Sequence, residues 1–191
     1  MDKQAMIEAL REARFLHDID NEHLLRIADV TRIRNAQPGE ILFREGDVPQ
    51  EVFLVITGSV ALDINVAGGA SRRIMAVGPG EILGWSAILE QTQMTATATT
   101  LVPSKVAQIN TGQLLSICKH NPRLGYELLR RTSLALAARL SATRLQLLDT
   151  FGSQMPPGAR IAIAQFRKKN FTTEGTEVTE ERKARQLQNA K

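Results

Sequence analysis

The spacing of apolar residues divides the chain into a helical part and a strand-like part. Up to about residue 35, apolar positions recur every three or four residues, and we expect amphipathic helices over 5–15 and 21–30. Asp20 or Asn21 can cap the second helix. From Pro38 onwards, short β-branched runs alternate with glycine turns, a pattern typical of a closed or rolled antiparallel sheet.

Five runs of this second part are predicted strands: 52–57, 59–66, 72–77, 95–102 and 105–110. In the second run Val60, Leu62 and Ile64 alternate with smaller or polar residues, so one face is expected to be buried. The predicted fold is α+β: an antiparallel β-roll, that is, a jelly-roll-like double-stranded β-helix. N-terminal helices and a long C-terminal dimerisation helix flank it.

The last helix is predicted to begin at Pro122, with Thr111 capping the helix before it, and to end near Thr150. It would be about 40 Å long, at 1.5 Å per residue. Two sets of residues fall seven apart and form a heptad-like seam: Leu129, Leu136 and Thr143, and Ser133, Leu140 and Leu147. The seam can pack along its own domain or against a second copy. The homodimer is favoured because neighbouring leucines widen the stripe.

These boundaries give four expected regions: helices over 1–35, the β-roll over 36–121, the long helix over 122–150, and a tail over 151–191. Residues 1–154 contain 16 basic and 16 acidic side chains, whereas 155–191 contain 8 and 4, so the whole excess of +4 lies in the tail. The tail is expected to be partly disordered. It is either a segment that docks on an unknown protein partner or a solvated remnant. Specific DNA recognition is not expected of it.

The sequence excludes several functional classes. It has no apolar run of the length of a membrane span and no signal-peptide pattern at its first residues, so a cytoplasmic location without membrane contact is expected. The single cysteine, Cys118, is interpreted as a buried apolar residue, and the three histidines show no metal-ligand spacing. Since no catalytic motif is present either, we expect a protein that is not an enzyme and has no metal site.

The segment GEILGWSAILEQTQMTATA, residues 80–98, has the layout of an anion-binding cradle. A glycine-led turn precedes a short apolar stretch, 85–89, that is expected to be helical, and a Thr/Ala strand follows from Thr95. Such a layout presents backbone N–H groups to an anion. However, no Lys or Arg lies between Arg73 and Lys105. The cradle therefore lacks a charged partner for a phosphate in its own sequence.

Residues 15–150 resemble a cyclic nucleotide-binding domain of the Crp/Fnr type. The resemblance rests on PGEILFREGD, VFLVITGSVAL, VGPGEILGWSAIL and the NP-led helix that contains AARLSATR, in this order and spacing. It implies a phosphate cradle in which Gly84 is the family's glycine, Ser86 and Ala87 supply amides, and Thr95 supplies a hydroxyl. Trp85 stands where the family has its ribose-binding Glu, and Met94 where it has its phosphate-binding Arg.

The resemblance also implies a base pocket. Leu62, Ile74 and Val77 match positions that line the purine site, and Thr143 matches a hydroxyl that reaches the base across the dimer interface. The candidate ligand is a cyclic nucleotide, cAMP or cGMP, or a related compound, with no other cofactor assigned. The predicted function is a dimeric sensor or regulatory module. The alternatives are a ligand-independent adaptor, whose pocket Trp85 and Met94 fill, and a truncated Crp/Fnr-type transcription regulator.

Overall fold

A computed structural model describes residues 3–66 and 68–152, with side chains up to residue 145 in the last helix. The chain divides into two compact units, Met1–Leu136 and Ala137–Lys191, and both sheets belong to the first. Nearly all of the predicted tail lies outside the described residues. The division into four regions stays a prediction.

The described chain contains four α-helices: α1 (Lys3–Glu12), α2 (Asn21–Asp29), α3 (Thr111–His120) and α4 (Pro122–Gly152). A short 3₁₀ helix, Arg14–Leu16, follows α1. The eight described strands are β1 (Thr31–Ala36), β2 (Ile41–Phe43), β3 (Glu51–Thr57), β4 (Val60–Asn65), β5 (Ser71–Val77), β6 (Ile82–Leu83), β7 (Thr97–Thr100) and β8 (Ser104–Asn110).

The strands form two four-stranded antiparallel sheets, in the orders β1-β8-β3-β6 and β2-β7-β4-β5. The two sheets form the β-roll that the sequence predicts. The chain also has the predicted N-terminal helices and long C-terminal helix, so the predicted α+β class is confirmed.

Strand β3 contributes side chains to both hydrophobic clusters of the described chain. Its sequence VFLVI is apolar without alternation because both faces are buried. Val52 and Leu54 pack into a cluster with the helices, whereas Phe53 and Val55 pack into the interior of the roll. Burial on both faces fixes the register, since a shift by one residue would exchange the two sets.

The helix ends follow the capping chemistry of the sequence, with one correction. Asp20 caps α2, where its carboxylate accepts the His23 N–H at 3.0 Å. Pro122 begins α4, as predicted. Thr111, however, does not cap α3: the Asn110 side chain accepts the Gln113 N–H at 2.9 Å, and the Thr111 hydroxyl is buried without a partner among the described residues. Asn is a better N-cap than Thr, and it lies one position earlier.

Candidate functional site

Gly84, which follows β6, is buried, and its conformation requires glycine. Its φ is +75°, in the left-handed region that side chains disfavour. A Cβ at this position would lie 3.1 Å from the Glu51 carbonyl oxygen and 3.6 Å from the methyl carbon of Met94. The backbone of the cradle is therefore held closely against β3 on one side and against Met94 on the other.

The stretch after Gly84 differs from the sequence prediction: it is a series of turns rather than a helix over 85–89. The Ala87 N–H donates to the Gly84 carbonyl at 3.1 Å, and the Gln91 N–H reaches back to the Ser86 carbonyl at 2.9 Å. Glu90 adopts a φ of 51°, which ends the segment. These mixed hydrogen-bond spacings replace the regular ladder that a helix needs.

The turns leave part of the cradle's hydrogen-bonding capacity open. The Ser86 N–H and hydroxyl have no partner among the described residues, although Ser86 as a whole is only 3% exposed. The Ala87 N–H, in contrast, is already bonded to Gly84. Of the two amides that the resemblance assigns to a phosphate, one is thus available in this conformation.

Met94 is a packing residue in this structure. It is 4% exposed, its N–H donates to the Asp47 carbonyl at 2.8 Å, and its own carbonyl accepts the Gly46 N–H at 2.9 Å. These two bonds fix Met94 against the turn 44–47, with its methyl group beside Gly84. An uncharged thioether therefore occupies the space near the turn where the family pattern has a guanidinium group.

The other two cradle positions face solvent to different degrees. Trp85 is half-buried, and Thr95 is exposed and precedes β7, which begins at Thr97 rather than at Thr95 as predicted. The Thr97 hydroxyl accepts the Glu45 N–H at 3.0 Å and so ties the start of β7 to the turn 44–47. The Thr95 hydroxyl has no hydrogen-bond partner among the described residues.

Sequence reasoning missed a cation on the turn that holds Met94. Arg44 is exposed, and its guanidinium has no partner among the described residues, while its N–H donates to the Asp47 carboxylate at 2.7 Å. Arg73, by comparison, is paired with Asp63 at 3.0 Å. Arg44 lies within the motif PGEILFREGD, so its position could be read from the sequence. The two main-chain hydrogen bonds that join Met94 to Gly46 and Asp47, and so bring this turn to the cradle, are visible only in the fold.

Two of the predicted base-pocket residues lie together in the interior of the roll. Leu62 and Val77 are buried in the same cluster as Phe53 and Leu83. Ile74 is 40% exposed and lies at a bulge, because the register steps from the pair Leu62–Met75 to the pair Asp63–Arg73. Met75 packs against the interior cluster instead, and it is a further lining residue that the sequence did not indicate.

Thr143 lies in the second compact unit, and its hydroxyl donates to the Arg139 carbonyl one helical turn earlier at 2.9 Å. Of the predicted dimer residues, Leu129 and Leu140 are 51% and 53% exposed, and Leu136 is half-buried. The side chain of Leu147 lies outside the described part. Tyr126 and Leu134, also on α4, are 68% and 57% exposed.

Within the described residues, no group of three or more His, Cys, Asp or Glu side chains could hold a metal ion. In the same part of the chain, no helix combines the length and the hydropathy that crossing a membrane needs. Cys118 is half-buried, and burial raises the pKa of its thiol. The glycine-led cradle thus stands out as the candidate site of the described roll.

A family comparison decides what this roll is. The family model of the cyclic nucleotide-binding domain matches residues 33–121, a range that includes the whole cradle. Residues 33–121 match the cyclic nucleotide-binding domain family, a range a little under half of the chain. The resemblance stated from the sequence is therefore confirmed for this region.

Two bacterial proteins are similar to this chain in sequence. The chain is 25% identical over 137 residues to a CRP-like cAMP-activated global transcriptional regulator of Mycobacterium tuberculosis, covering 72% of this chain and 59% of that protein. It is 28% identical over 109 residues to the cyclic AMP receptor protein of Thermus thermophilus, covering 57% and 49%. The chain thus spans about half to three fifths of the length of these two proteins, 49% and 59%.

A solved structure agrees with these relatives. The N-terminal domain of a transcriptional regulator from Streptomyces coelicolor A3(2) superimposes with a TM-score of 0.57 at 27% identity, covering 71% of this chain and 94% of that domain. The described roll therefore shares the fold of this regulator's N-terminal domain. The roles of its individual cradle residues stay predictions.

Proposed function

We propose that this chain is a sensor module of the cyclic nucleotide-binding type with an atypical, uncharged phosphate cradle. It takes a cyclic nucleotide, cAMP or cGMP, or a related compound, with the base in the apolar interior of the roll and the phosphate at Ser86. One observation carries the proposal: Ser86 keeps a free N–H and a free hydroxyl beside a glycine held in the left-handed conformation. Such an arrangement of unpaired donors is suited to an anion.

Affinity for a cyclic monophosphate is expected to be weak. Hydrogen bonds to charged groups contribute about 1.5–3 kcal/mol each, and Met94 offers none. Its methyl group also lies against Gly84. Because roughly 1.4 kcal/mol corresponds to a tenfold change in affinity, loss of the guanidinium alone accounts for about one to two orders of magnitude.

The decisive experiment restores the charge. Calorimetric titration of cAMP and cGMP into the wild-type chain and into Met94→Arg is expected to show at least tenfold tighter binding by the variant. Met94→Leu is the matched control, because it keeps an apolar side chain of similar volume and should leave affinity within about threefold. Thermal unfolding with and without nucleotide verifies that each variant is folded.

A specific observation favours a second candidate, the ligand-independent adaptor. Met94 is 4% exposed and bonded to the turn 44–47 through both of its main-chain groups, as expected of a residue that fills a former site. If neither the wild type nor Met94→Arg binds cAMP or cGMP at millimolar concentration, the sensor proposal is wrong for these ligands. The adaptor then becomes the better description.

The output of the module is proposed to be a protein contact made by a homodimer without catalytic activity. Exposed apolar residues on α4 support the dimer: Tyr126, Leu129, Leu134 and Leu140. The relatives named above are transcriptional regulators, so DNA binding is the competing output. A mobility-shift assay on the full chain tests it, with deletion from Gly152 as the comparison. Affinity for DNA that the deletion abolishes would favour the truncated-regulator alternative.

A further inference from the structure

Strand β1 is the outer strand of its sheet, and half of its main-chain groups face away from the sheet. The Asn110 N–H donates to the Val30 carbonyl at 3.1 Å, just before β1 begins. In an antiparallel ladder, hydrogen-bonded pairs alternate with non-bonded pairs. In the observed register, Ile33 and Asn35 are therefore in non-bonded pairs with β8 and direct their N–H and C=O groups outwards.

These outward groups have no partner within the described part of the chain. The N–H of Gln37, just after the end of β1, is bonded: it donates to the Glu40 carboxylate at 2.9 Å. Ile33 and Asn35 thus offer two donors and two acceptors in the spacing of a strand. An unpaired edge of this kind is a template for another extended segment.

A groove with a volume of about 620 Å³ runs beside this edge. Its lining residues are Met6, Thr31, Arg32, Ile33, Asn35 and Lys105. Met6 and Ile33 are half-buried and pack on the cluster between sheet and helices, which gives the groove an apolar floor. Side chains of an added strand would alternate between this floor and solvent.

The charge of the groove is one-sided. Its lining holds two cations, Arg32 and Lys105, and no carboxylate. Neither cation has an ion pair or side-chain hydrogen bond within the described residues, whereas the neighbouring Arg34 is paired with Glu40. The groove therefore presents unpaired positive charge next to an unpaired strand edge.

We propose that this edge binds an extended acidic peptide segment of a partner protein, which adds as a fifth strand beside β1. Main-chain bonds to Ile33 and Asn35 hold the backbone. Arg32 lies on the face opposite to Ile33 and selects carboxylate side chains there, while Lys105 adds positive charge on the face of the floor. Positive charge on an edge also opposes pairing between copies of this chain. An acidic peptide fits better than a nucleic acid, because the floor is apolar and an added strand needs donors and acceptors in strand spacing.

The test uses the full-length chain without nucleotide, so its outcome is independent of the proposed ligand site. The probe is a fluorescein-labelled, end-blocked hexapeptide of alternating Glu and Val, measured by fluorescence anisotropy. The matched probe replaces Glu by Lys. We expect the acidic peptide to bind at least tenfold more tightly, and Arg32→Glu to remove at least tenfold of that affinity. Arg123→Glu, the same charge change at another exposed and unpaired cation, should leave it within twofold.

Asn35→Pro tests the edge itself. Proline removes an outward N–H that takes no part in the ladder to β8, so the sheet is retained while one bond to the peptide is lost. We expect at least tenfold weaker binding, with Asn35→Ala close to wild type and thermal unfolding of both variants reporting the fold.

Three results would overturn the proposal. The first is equal binding of the acidic and basic peptides. The second is unchanged affinity in both single variants, Asn35→Pro and Arg32→Glu. The third is binding of a twelve-residue oligothymidylate in place of the acidic peptide, which would assign the cations to nucleic acid instead.

Discussion

At the scale of single residues, Met94 places an uncharged side chain against the glycine of the cradle. Gly84 keeps its left-handed conformation, and Met94 reaches it with a methyl group. Methionine is unbranched and adapts to irregular spaces, so it can fill a position that the resemblance assigns to a charged group. The resulting contact depends on Gly84 having no side chain.

A matched pair of glycine substitutions tests this contact. Gly84→Ala and Gly39→Ala both place a side chain at positive φ, +75° and +82° respectively, which costs about 1–2 kcal/mol. Only at Gly84 does the new Cβ also approach a carbonyl oxygen, at 3.1 Å; around Gly39 nothing lies within 4 Å. Urea unfolding should therefore show a larger loss of unfolding free energy for Gly84→Ala. Equal losses would mean that the close packing around Gly84 contributes nothing.

The sequence points to Gly84, Trp85 and Met94 as cradle positions, because motif order and spacing are local properties. It could not show that Met94 is buried, since its partners Gly46 and Asp47 lie nearly fifty positions away. Nor could it show that Ile74 is exposed, because the bulge follows from how β4 and β5 pair. The place of a residue in a motif can be read from the sequence, whereas the burial of its side chain depends on contacts that arise only in the fold.

At the scale of elements, one arginine connects the long helix to the N-terminal turn. Arg131 on α4 donates through Nη1 to the carbonyl of Phe15 at 3.0 Å and to that of His17 at 2.5 Å. The Phe15 N–H in turn donates to the Gly80 carbonyl at 2.9 Å, on the turn just before β6. Hydrogen bonds thus connect α4, through Phe15, to the turn that precedes β6, and β6 leads into the cradle.

Glu127 orients this arginine, and its titration is predicted to show in stability. Hydrogen bonds from Arg130 and then Arg131 lower the pKa of Glu127 from its usual 4.5 to about 2. A carboxylate with a lowered pKa in the folded state stabilises the fold above its unfolded pKa, and that contribution is lost as the pH falls. The free energy of unfolding should therefore decline between about pH 4.5 and pH 2.

Glu127→Gln is the variant that checks this titration. It removes the charge, so its unfolding free energy should vary less with pH in that window than that of the wild type. Glu8→Gln serves as the control, because Glu8 is an exposed carboxylate that accepts only a Gln4 side-chain bond. Parallel pH profiles for the wild type and Glu127→Gln, measured by urea unfolding, would contradict the prediction.

Element types and boundaries were predictable where one local signal dominated. Pro122 begins α4 and Asp20 caps α2, because proline and aspartate act through their own backbone or side chain. The stretch 85–90 was not predictable in the same way. Its apolar residues suit a short helix, but the bond from Gln91 to Ser86 and the φ of Glu90 depend on how the segment docks beside Gly84.

At the scale of the whole molecule, the exposed apolar residues of α4 contrast with the buried core of the described chain. Tyr126, Leu129 and Leu140 are each more than half exposed, while the leucines on the opposite side, Leu124 and Leu128, are buried in the helix-side core. Burying one leucine fully gains roughly 1.5–3 kcal/mol. Several such residues along one helix therefore favour a second helix as cover, and a second copy satisfies this by symmetry.

The last prediction concerns that second copy. In sedimentation velocity, the wild-type chain is expected to sediment as a dimer at micromolar concentration, and the double variant Leu129→Glu, Leu140→Glu as a monomer, since carboxylates at the seam would have to be desolvated in the dimer. Leu101→Glu is the control, because Leu101 is also solvent-exposed, at 36%, but lies between β7 and β8. A wild type that is monomeric throughout, or a double variant that stays dimeric, would show that this face of α4 does not hold two copies together.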